Sequence, residues 1–164
     1  MPFVYNSSSA ENGTNFTTNG VANTESDYFF IKSGARNVGV QGLYVGGKGA
    51  GLTSISGIAY RLKAFRSTAT VINTGTALVP RPRDPGAQAA KATAATSTGA
   101  QFTAGTGPVY IGGCVSGAAG PGGWVAPNAD SVPTLEGSAN QSIDLFTASG
   151  TISLNFEFAI EHIE

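Results

Sequence analysis

The two side chains best suited to nucleophilic catalysis, a cysteine and a histidine, each occur once in the chain, as Cys114 and His162. Such a pair carries out acyl transfer when the imidazole lies within hydrogen-bond distance of the thiol. Cys114 stands between Gly113 and Val115 in a stretch of low polarity, which favours a small buried thiol. His162, next to Glu161, is predicted on the polar face of a strand, and the sequence has no nucleophile-elbow motif. We therefore predict no catalytic residue and expect that the protein is not an enzyme.

Carboxylates and glycines suggest two other kinds of site. Glu157 and Glu161 share one face of a predicted strand, but at about 3.3 Å per residue their Cα atoms lie about 13 Å apart, too far for the paired acids of a glycosidase. The glycine-rich run at 46–51 could bring backbone N–H groups to a phosphate. It leads into a strand-like segment at 52–55, where a phosphate loop requires a helix. We expect a hairpin loop at this position, and neither a cofactor nor a metal.

The single tryptophan, Trp124, lies between two segments rich in glycine and proline. An exposed aromatic ring can stack on a sugar, so Trp124 is the candidate for a glycan platform, with support from Tyr44, Tyr60 and Tyr110. The alternative is that these rings cap the core of the domain.

β-Strands must position these residues, because the chain has period-two patterns and no comparable helical stripe. The strictest alternation covers 151–160 and puts five large apolar side chains on one face: Ile152, Leu154, Phe156, Phe158 and Ile160. A second alternation, at 54–65, directs Arg61 and Lys63 away from the core.

Further strand patterns bring the number of strands to about eight or nine, at 28–32, 37–45, 68–72, 76–79, 108–111 and 141–147. The last of these is expected to form a hairpin with 151–160. Short strands without helices to cover a parallel sheet predict an all-β fold, an antiparallel β-sandwich of jelly-roll-like topology. An immunoglobulin-like sandwich is the alternative, although its Cys-Trp-Cys spacing is absent.

The chain is predicted to form one domain with an arm. Residues 1–26 are rich in Asn, Ser, Thr and Gly, which predicts an extended N-terminal arm that Phe3 and Tyr5 would anchor on a neighbouring subunit. Residues 27–164 are predicted to form a single β-sandwich domain. Within it, 80–106 has a Pro- and Ala-rich composition with no face to bury, so we expect an excursion that reaches other chains.

The composition points to protein partners. Charged residues make up only 12% of the chain, and the net charge is −1. A low-charge surface of Gly, Ala and Thr suggests an exterior that faces other protein chains. The charge balance argues against a nucleic-acid partner, and no segment approaches the about 20 apolar residues of a membrane span. The single cysteine and the lack of a signal-peptide pattern predict synthesis in a reducing cytoplasm.

Several segments together resemble small virion structural proteins of tailed bacteriophages, above all head decoration or cement proteins. They are the Pro-Arg-Asp-Pro-Gly loop at 82–86, the Ala-rich segment at 87–94 and the terminal strand at 153–160, combined with the Gly/Ala/Thr-rich surface. The resemblance implies a protein, often a homotrimer, that binds the outer capsid surface and bridges neighbouring capsomers of the major capsid protein. It also implies synthesis in the cytoplasm of a bacterial host and a final location on the outside of the virion.

On this interpretation, basic side chains contact an acidic capsid surface: Arg61, Lys63, Arg81 and Arg83. The alternative is a carbohydrate- or receptor-binding module of a phage tail or surface adhesin, in which Trp124 would form the platform.

Overall fold

The computed structural model describes residues 2–12, 16–17, 26–47, 58–65, 76–96, 109–116, 121–137, 141–147 and 155–164. Within these ranges the chain forms thirteen strands and two short 3₁₀ helices, Ser9–Asn12 and Ala129–Ser131. The strands are β1 (Val4–Ser8), β2 (Phe16–Thr17), β3 (Ser26–Lys32), β4 (Val38–Gly47), β5 (Ile58–Phe65), β6 (Thr76–Leu78), β7 (Arg81–Pro82), β8 (Thr93–Thr96), β9 (Val109–Ser116), β10 (Gly122–Val125), β11 (Thr134–Leu135), β12 (Ser142–Thr147) and β13 (Asn155–Ile163).

The strands form two antiparallel sheets. Sheet A runs β10-β4-β13-β1-β7, with β11 paired to β4 and β2 paired to β13. Sheet B runs β6-β8-β3-β12-β5-β9. Buried side chains from both sheets belong to one hydrophobic core, so the sheets pack face to face.

Eight of the strands pair as a folded and rolled ribbon. In chain order the first pairs with the last and the pairs nest inwards: β1 with β13, β3 with β12, β4 with β10 and β5 with β9. Rolling of the ribbon adds the pairs β13 with β4 and β12 with β5. Nested pairing of this kind is the topology of a jelly roll. The predicted all-β sandwich of jelly-roll type is therefore confirmed.

Aromatic contacts between the sheets form the centre of the core. The ring of Phe156 on β13 lies 4.9 Å from that of Tyr28 and 4.8 Å from that of Tyr60, both on sheet B. Phe158, two residues further along β13, lies 5.3 Å from Phe29. Each such ring removes about 150–250 Å² from water, so these contacts contribute much of the stability of the sandwich.

The outer faces of the two sheets differ in exposure. All six residues of β12 are buried, including Asp144 on the face that points away from the sandwich core. On sheet A the corresponding face carries Tyr44, which is 42% exposed, and the partly exposed Glu157. An antiparallel sheet usually keeps one solvated face. Sheet A follows this rule, and the centre of sheet B does not.

The predicted terminal hairpin is wrong. β12 lies in sheet B between β3 and β5, whereas β13 lies in sheet A between β4 and β1. In a rolled ribbon, strands that follow each other in the chain cross to opposite sheets, so proximity in sequence does not make them partners.

The predicted N-terminal arm is also wrong at its start. Residues 4–8 form β1, which pairs with β13 on one side and β7 on the other. This pairing satisfies the backbone groups of β13 that an extended arm would leave open. Residues 13–15 and 18–25 of the predicted arm, and the predicted strand at 68–72, lie outside the described residues.

The described part of the Pro/Ala-rich excursion, residues 80–96, is held against its own sandwich. β7 extends sheet A beyond β1, and β8 lies in sheet B between β6 and β3. Between these strands, the backbone N–H groups of Lys91 and Ala92 donate to the carboxylate of Glu164, at 2.8 and 2.9 Å. Pro82 sits in an edge strand, in agreement with the expectation that prolines exclude a central strand. Residues 97–106 lie outside the described ranges.

Candidate interaction surface

One side of the sandwich is closed by two edge strands, β9 of sheet B and β10 of sheet A. The strands approach closely: a Cβ atom added to Gly122 would overlap the backbone oxygen of Val115, and one added to Gly112 would overlap the indole ring of Trp124. Only glycine permits both approaches. We call the exposed surface of these two strands the β9–β10 flank.

The β9–β10 flank is apolar. Its exposed side chains, between 53% and 63% accessible, are Val109, Tyr110, Val115 and Val125. Tyr110 and Val115 also line a groove of about 470 Å³ that continues across β5 to Arg61. Single exposed apolar residues are common, but a group of four on adjacent edge strands is typical of a protein interface. Edge strands also offer unpaired backbone groups to a partner. The flank is therefore the described surface best suited to bind protein.

The opposite side of the sandwich ends in β6 and β7. It has one large exposed apolar side chain among the described residues, Val79, at 65%. The exposed residues Arg81 and Arg83 follow closely in the chain. This side is therefore more polar than the β9–β10 flank.

A second surface lies on the outer face of sheet A, where a groove of about 460 Å³ runs over β4, β10 and β13. Its floor consists of small residues, including Gly46, Gly123 and Ala159, and its sides include Tyr44 and Glu157. An exposed ring beside a carboxylate offers both a stacking surface and hydrogen-bond acceptors.

Tyr44 belongs to a polar network across this face. Its hydroxyl donates to Glu161 Oε2 at 3.4 Å, and Arg83 Nη1 lies 2.8 Å from Glu161 Oε1. Partial burial raises the pKa of Tyr44, and the negative charge of Glu161 raises it further. The phenol therefore keeps its proton at neutral pH and acts as a donor.

The four basic residues predicted to bind a partner do not form one patch. Arg81 and Arg83 lie at the β7 edge of sheet A, whereas Arg61 is exposed on sheet B. The prediction for Lys63 is wrong, because its side chain is only 2% exposed and forms an ion pair with Asp27. Alternation does direct Lys63 away from the core, but the outer face of sheet B is buried at that position.

The predicted contact with a neighbouring subunit is not compatible with the position of Tyr5, whereas for Phe3 it stays a prediction. Tyr5 is fully buried, its ring stacks on His162 at 5.4 Å, and its hydroxyl donates to the backbone oxygen of Gln88 at 2.9 Å. Phe3 is partly buried and exchanges two backbone hydrogen bonds with Glu164, each 3.1 Å long. Both residues hold their own chain together.

His162 is buried rather than exposed on a polar face, so that prediction is wrong too. A bulge between Glu161 and His162 shifts the register of β13 against β4 at this point. Burial lowers the pKa of His162 to about 4, although Glu164, with Oε1 3.6 Å from Nε2, acts in the opposite direction. The imidazole is therefore neutral at pH 7 and fills space beside Tyr5.

Cys114 and Trp124 are both partly buried and pack against the core. Burial raises the pKa of Cys114 to about 11, which is the opposite of what an activated thiolate requires. Cys114 lies in sheet B and His162 in sheet A. The indole of Trp124 lies over Gly112. Trp124 therefore packs against the core, which favours the alternative that its ring caps the core, and Tyr44 and Tyr110 are the more exposed rings.

No family model, no curated protein and no solved structure matches the chain. Among the described residues, no group of three or more His, Cys, Asp and Glu side chains could hold a metal ion. In the same part of the chain, no helix has the length and apolar character needed to cross a membrane.

Sequence reasoning missed Val115 and Val125 as surface residues and named Tyr44 only in support of a platform at Trp124. The first two flank a glycine-rich segment without regular alternation, and they come to the same side of the sandwich only when β9 and β10 meet. Tyr44 follows a weak alternation in β4, and its exposure depends on the small residues opposite it, Ala159 and Gly123. The usable signal was the concentration of glycines on both sides of Trp124.

Proposed function

We propose that the chain is a structural subunit of a bacteriophage virion, a decoration or cement protein that binds the outer surface of the capsid and stabilises the head by bridging neighbouring capsomers. The observation that carries the proposal is the apolar β9–β10 flank, which is costly to leave in water and suits contact with another protein chain. The jelly roll supports it, because capsid domains often have this fold. The low share of charged residues, 12%, supports it as well.

In this proposal the flank joins copies of the chain into a homotrimer. The opposite side, with Arg81 and Arg83, contacts an acidic surface of the major capsid protein. Each single contact is weak, but rotational symmetry presents several copies at once and raises the avidity.

The location can be tested on particles from cultures that carry the gene, with a gold-coupled antibody raised against the purified protein. We expect label on the outer surface of the heads. Label confined to the tails would favour the second candidate function below, and intact particles without any label would contradict the proposal.

The contact with the capsid can be tested by cosedimentation of the protein with heads at several salt concentrations. Replacement of both Arg81 and Arg83 by Ala should weaken binding and reduce its dependence on salt, because rim charges act mainly through long-range attraction. Arg61→Ala is the matched control, since Arg61 is exposed on the other sheet. Unchanged binding of the double variant at low salt would remove these two residues from the proposed interface.

A second candidate is a carbohydrate-binding module, and the groove on sheet A favours it. Tyr44 offers a ring for stacking, and Glu157 in the same groove offers acceptors for sugar hydroxyl groups. A glycan array tests this function. Binding that is lost in Tyr44→Ala and kept in Tyr110→Ala, an exposed tyrosine on the other sheet, would support it, and an array without any bound glycan would exclude it for the glycans tested.

A further inference from the structure

The outer face of sheet B buries a lysine and two aspartates that the proposed function does not use. Lys63 on β5 is 2% exposed, and Asp27 on β3 and Asp144 on β12 are both fully buried. The Nζ atom of Lys63 lies 2.6 Å from Oδ1 of Asp27. We propose that this cluster is a site of covalent modification, at which Lys63 and Asp27 form an intramolecular isopeptide bond while Asp144 carries the proton.

The three side chains converge because their strands are neighbours, with β12 between β3 and β5. Asp144 is the direct partner of Lys63 in the β12–β5 pair, which places their Cβ atoms about 4.5–5.5 Å apart. Asp27 is the partner of Phe146, two residues after Asp144 and thus on the same face of the sheet. The long side chain of Lys63 therefore crosses β12 to reach Asp27.

The contact between Lys63 and Asp27 suits amide formation. Oδ1, which lies 2.6 Å from Nζ, is bonded to the carbon atom that the amine must attack, Cγ. Reacting atoms in a productive complex lie about 3–3.5 Å apart, and Cγ is one bond away from the oxygen atom that Nζ contacts. Because the sheet holds both groups in register, the reaction is in effect unimolecular and gains the corresponding entropic advantage.

The surroundings of the cluster favour the neutral product. Nζ lies 4.7 Å from the centroid of the Phe146 ring, and Tyr110 packs on that ring at 5.6 Å. Phe30 is the partner of Asp144 on β3. An ammonium and a carboxylate are costly to keep away from water, even when they are paired. Condensation to an amide removes both charges from the buried site.

The reaction balances without any further reagent. Transfer of one proton from the Lys63 ammonium to the Asp27 carboxylate within the pair gives a neutral amine and a carboxylic acid. Nζ then attacks Cγ of Asp27 and forms a C–N bond. The Asp144 carboxylate accepts a proton from Nζ and donates it to the leaving hydroxyl group. The C–O bond then breaks and one water molecule leaves. Asp144 returns to its initial state, and no electron is transferred.

The product is an amide that joins β3 to β5 across β12. It closes the chain between residues 27 and 63 into a covalent ring, which persists when the domain unfolds. This inference does not depend on the proposed function, because it rests only on contacts inside one sheet.

Mass spectrometry of the denatured, intact protein tests the proposal directly. We expect a mass lower than that of the linear sequence by one water molecule, and a branched peptide containing both Lys63 and Asp27 after protease digestion. A mass equal to that of the linear sequence after long incubation of the folded protein would overturn the proposal. Loss of water without the branched peptide would also overturn it. This measurement needs no variant and so does not depend on whether one folds.

Variants assign the roles of the residues. Lys63→Arg should have the full mass, whereas Lys91→Arg, a substitution at an exposed lysine, should still lose the water molecule. In a time course from cell-free synthesis, Asp144→Asn should slow the loss of water by about 10²–10⁴-fold, the usual contribution of a positioned proton carrier. Bond formation in Asp144→Asn at the wild-type rate would contradict the role given to Asp144.

Discussion

The outer faces of sheets A and B hold charge in opposite ways. On sheet B, Lys63 and Asp27 lie 2.6 Å apart with side chains 2% and 0% exposed. On sheet A, Arg83 and Glu161 lie 2.8 Å apart, but their side chains are 63% and 19% exposed. Loss of one partner leaves an uncompensated buried charge in the first pair, whereas water screens the second. At similar distances, the pair on sheet B belongs to the folded interior, whereas the pair on sheet A is an adjustable surface contact.

Of the substitutions proposed here, Lys63→Met should lower the free energy of unfolding the most. It leaves the buried carboxylates of Asp27 and Asp144 without the lysine charge, and removal of one partner from a buried pair costs about 3–5 kcal/mol. In the cross-linked form proposed above, the substitution removes the covalent bond between β3 and β5 instead of the lysine charge. Urea unfolding measures the change in the free energy of unfolding. The control Arg61→Met, at an exposed position two residues earlier on the same strand, should stay within about 0.5 kcal/mol of wild type. Equal effects of the two substitutions would contradict the assignment of a buried face.

Acidification should lower the free energy of unfolding through His162, a buried group of sheet A. The pKa of His162 is about 4 in the folded protein and 6.5 in its ordinary state, so the unfolded chain takes up the proton first as pH falls. The contribution of His162 to the free energy of unfolding is fully present above pH 6.5 and is lost as the pH falls from 6.5 to 4. The loss reaches about 3 kcal/mol, at about 1.4 kcal/mol for each unit of pKa shift.

Urea unfolding of wild type and His162→Gln at several pH values checks this expectation. Since glutamine does not titrate, the stability of wild type relative to the variant should fall between pH 6.5 and 4. A constant difference over that range would mean that the imidazole titrates alike in the folded and unfolded chains.

Gly112→Ala should disturb the place where the two sheets meet. Its Cβ atom would overlap the indole of Trp124, and overpacking of this kind costs about 1–3 kcal/mol. Because Trp124 is the single tryptophan, its emission reports the displacement as well as the unfolding transition. Gly46→Ala is the matched control, since no atom lies within 4 Å of a Cβ added there. An unchanged emission and an unchanged unfolding midpoint in Gly112→Ala would contradict the close contact between Gly112 on β9 and Trp124 on β10.

Arg83→Ala should have the smallest effect. Exposed ion pairs contribute about 0–1 kcal/mol, so thermal or urea unfolding should change little. A loss as large as that of Lys63→Met would remove the distinction between the two outer faces.

The sequence predicted the parts of the fold that depend on local alternation. Phe156 and Phe158 point to the core, Arg61 points outwards, and the strands assemble into an antiparallel sandwich. The sequence does not predict which strands pair, because β12 and β13 follow each other in the chain yet belong to different sheets. A period of two also assigns a residue to a face without revealing whether that face meets water. For this reason the alternation predicts the correct side of the strand for Lys63 but not its burial.

Most of the candidate surface could not be predicted from residue patterns. Val115 and Val125 are ten residues apart, in strands of different sheets, and reach the same side of the sandwich only where β9 meets β10. The low content of charged residues did point to contact with other proteins, but it does not identify a surface. Tyr5 and His162, at opposite ends of the sequence, meet through the β1–β13 pairing, which no local pattern encodes.

Light scattering of the purified protein tests the claim that the β9–β10 flank is an interface between copies of the chain. We predict a trimer for wild type and a monomer when Val115 and Val125 are both replaced by Asp. Val79→Asp, a matched substitution at an exposed valine on the opposite side, should remain trimeric. A wild-type monomer, or a trimer that survives the double substitution, would contradict the claim.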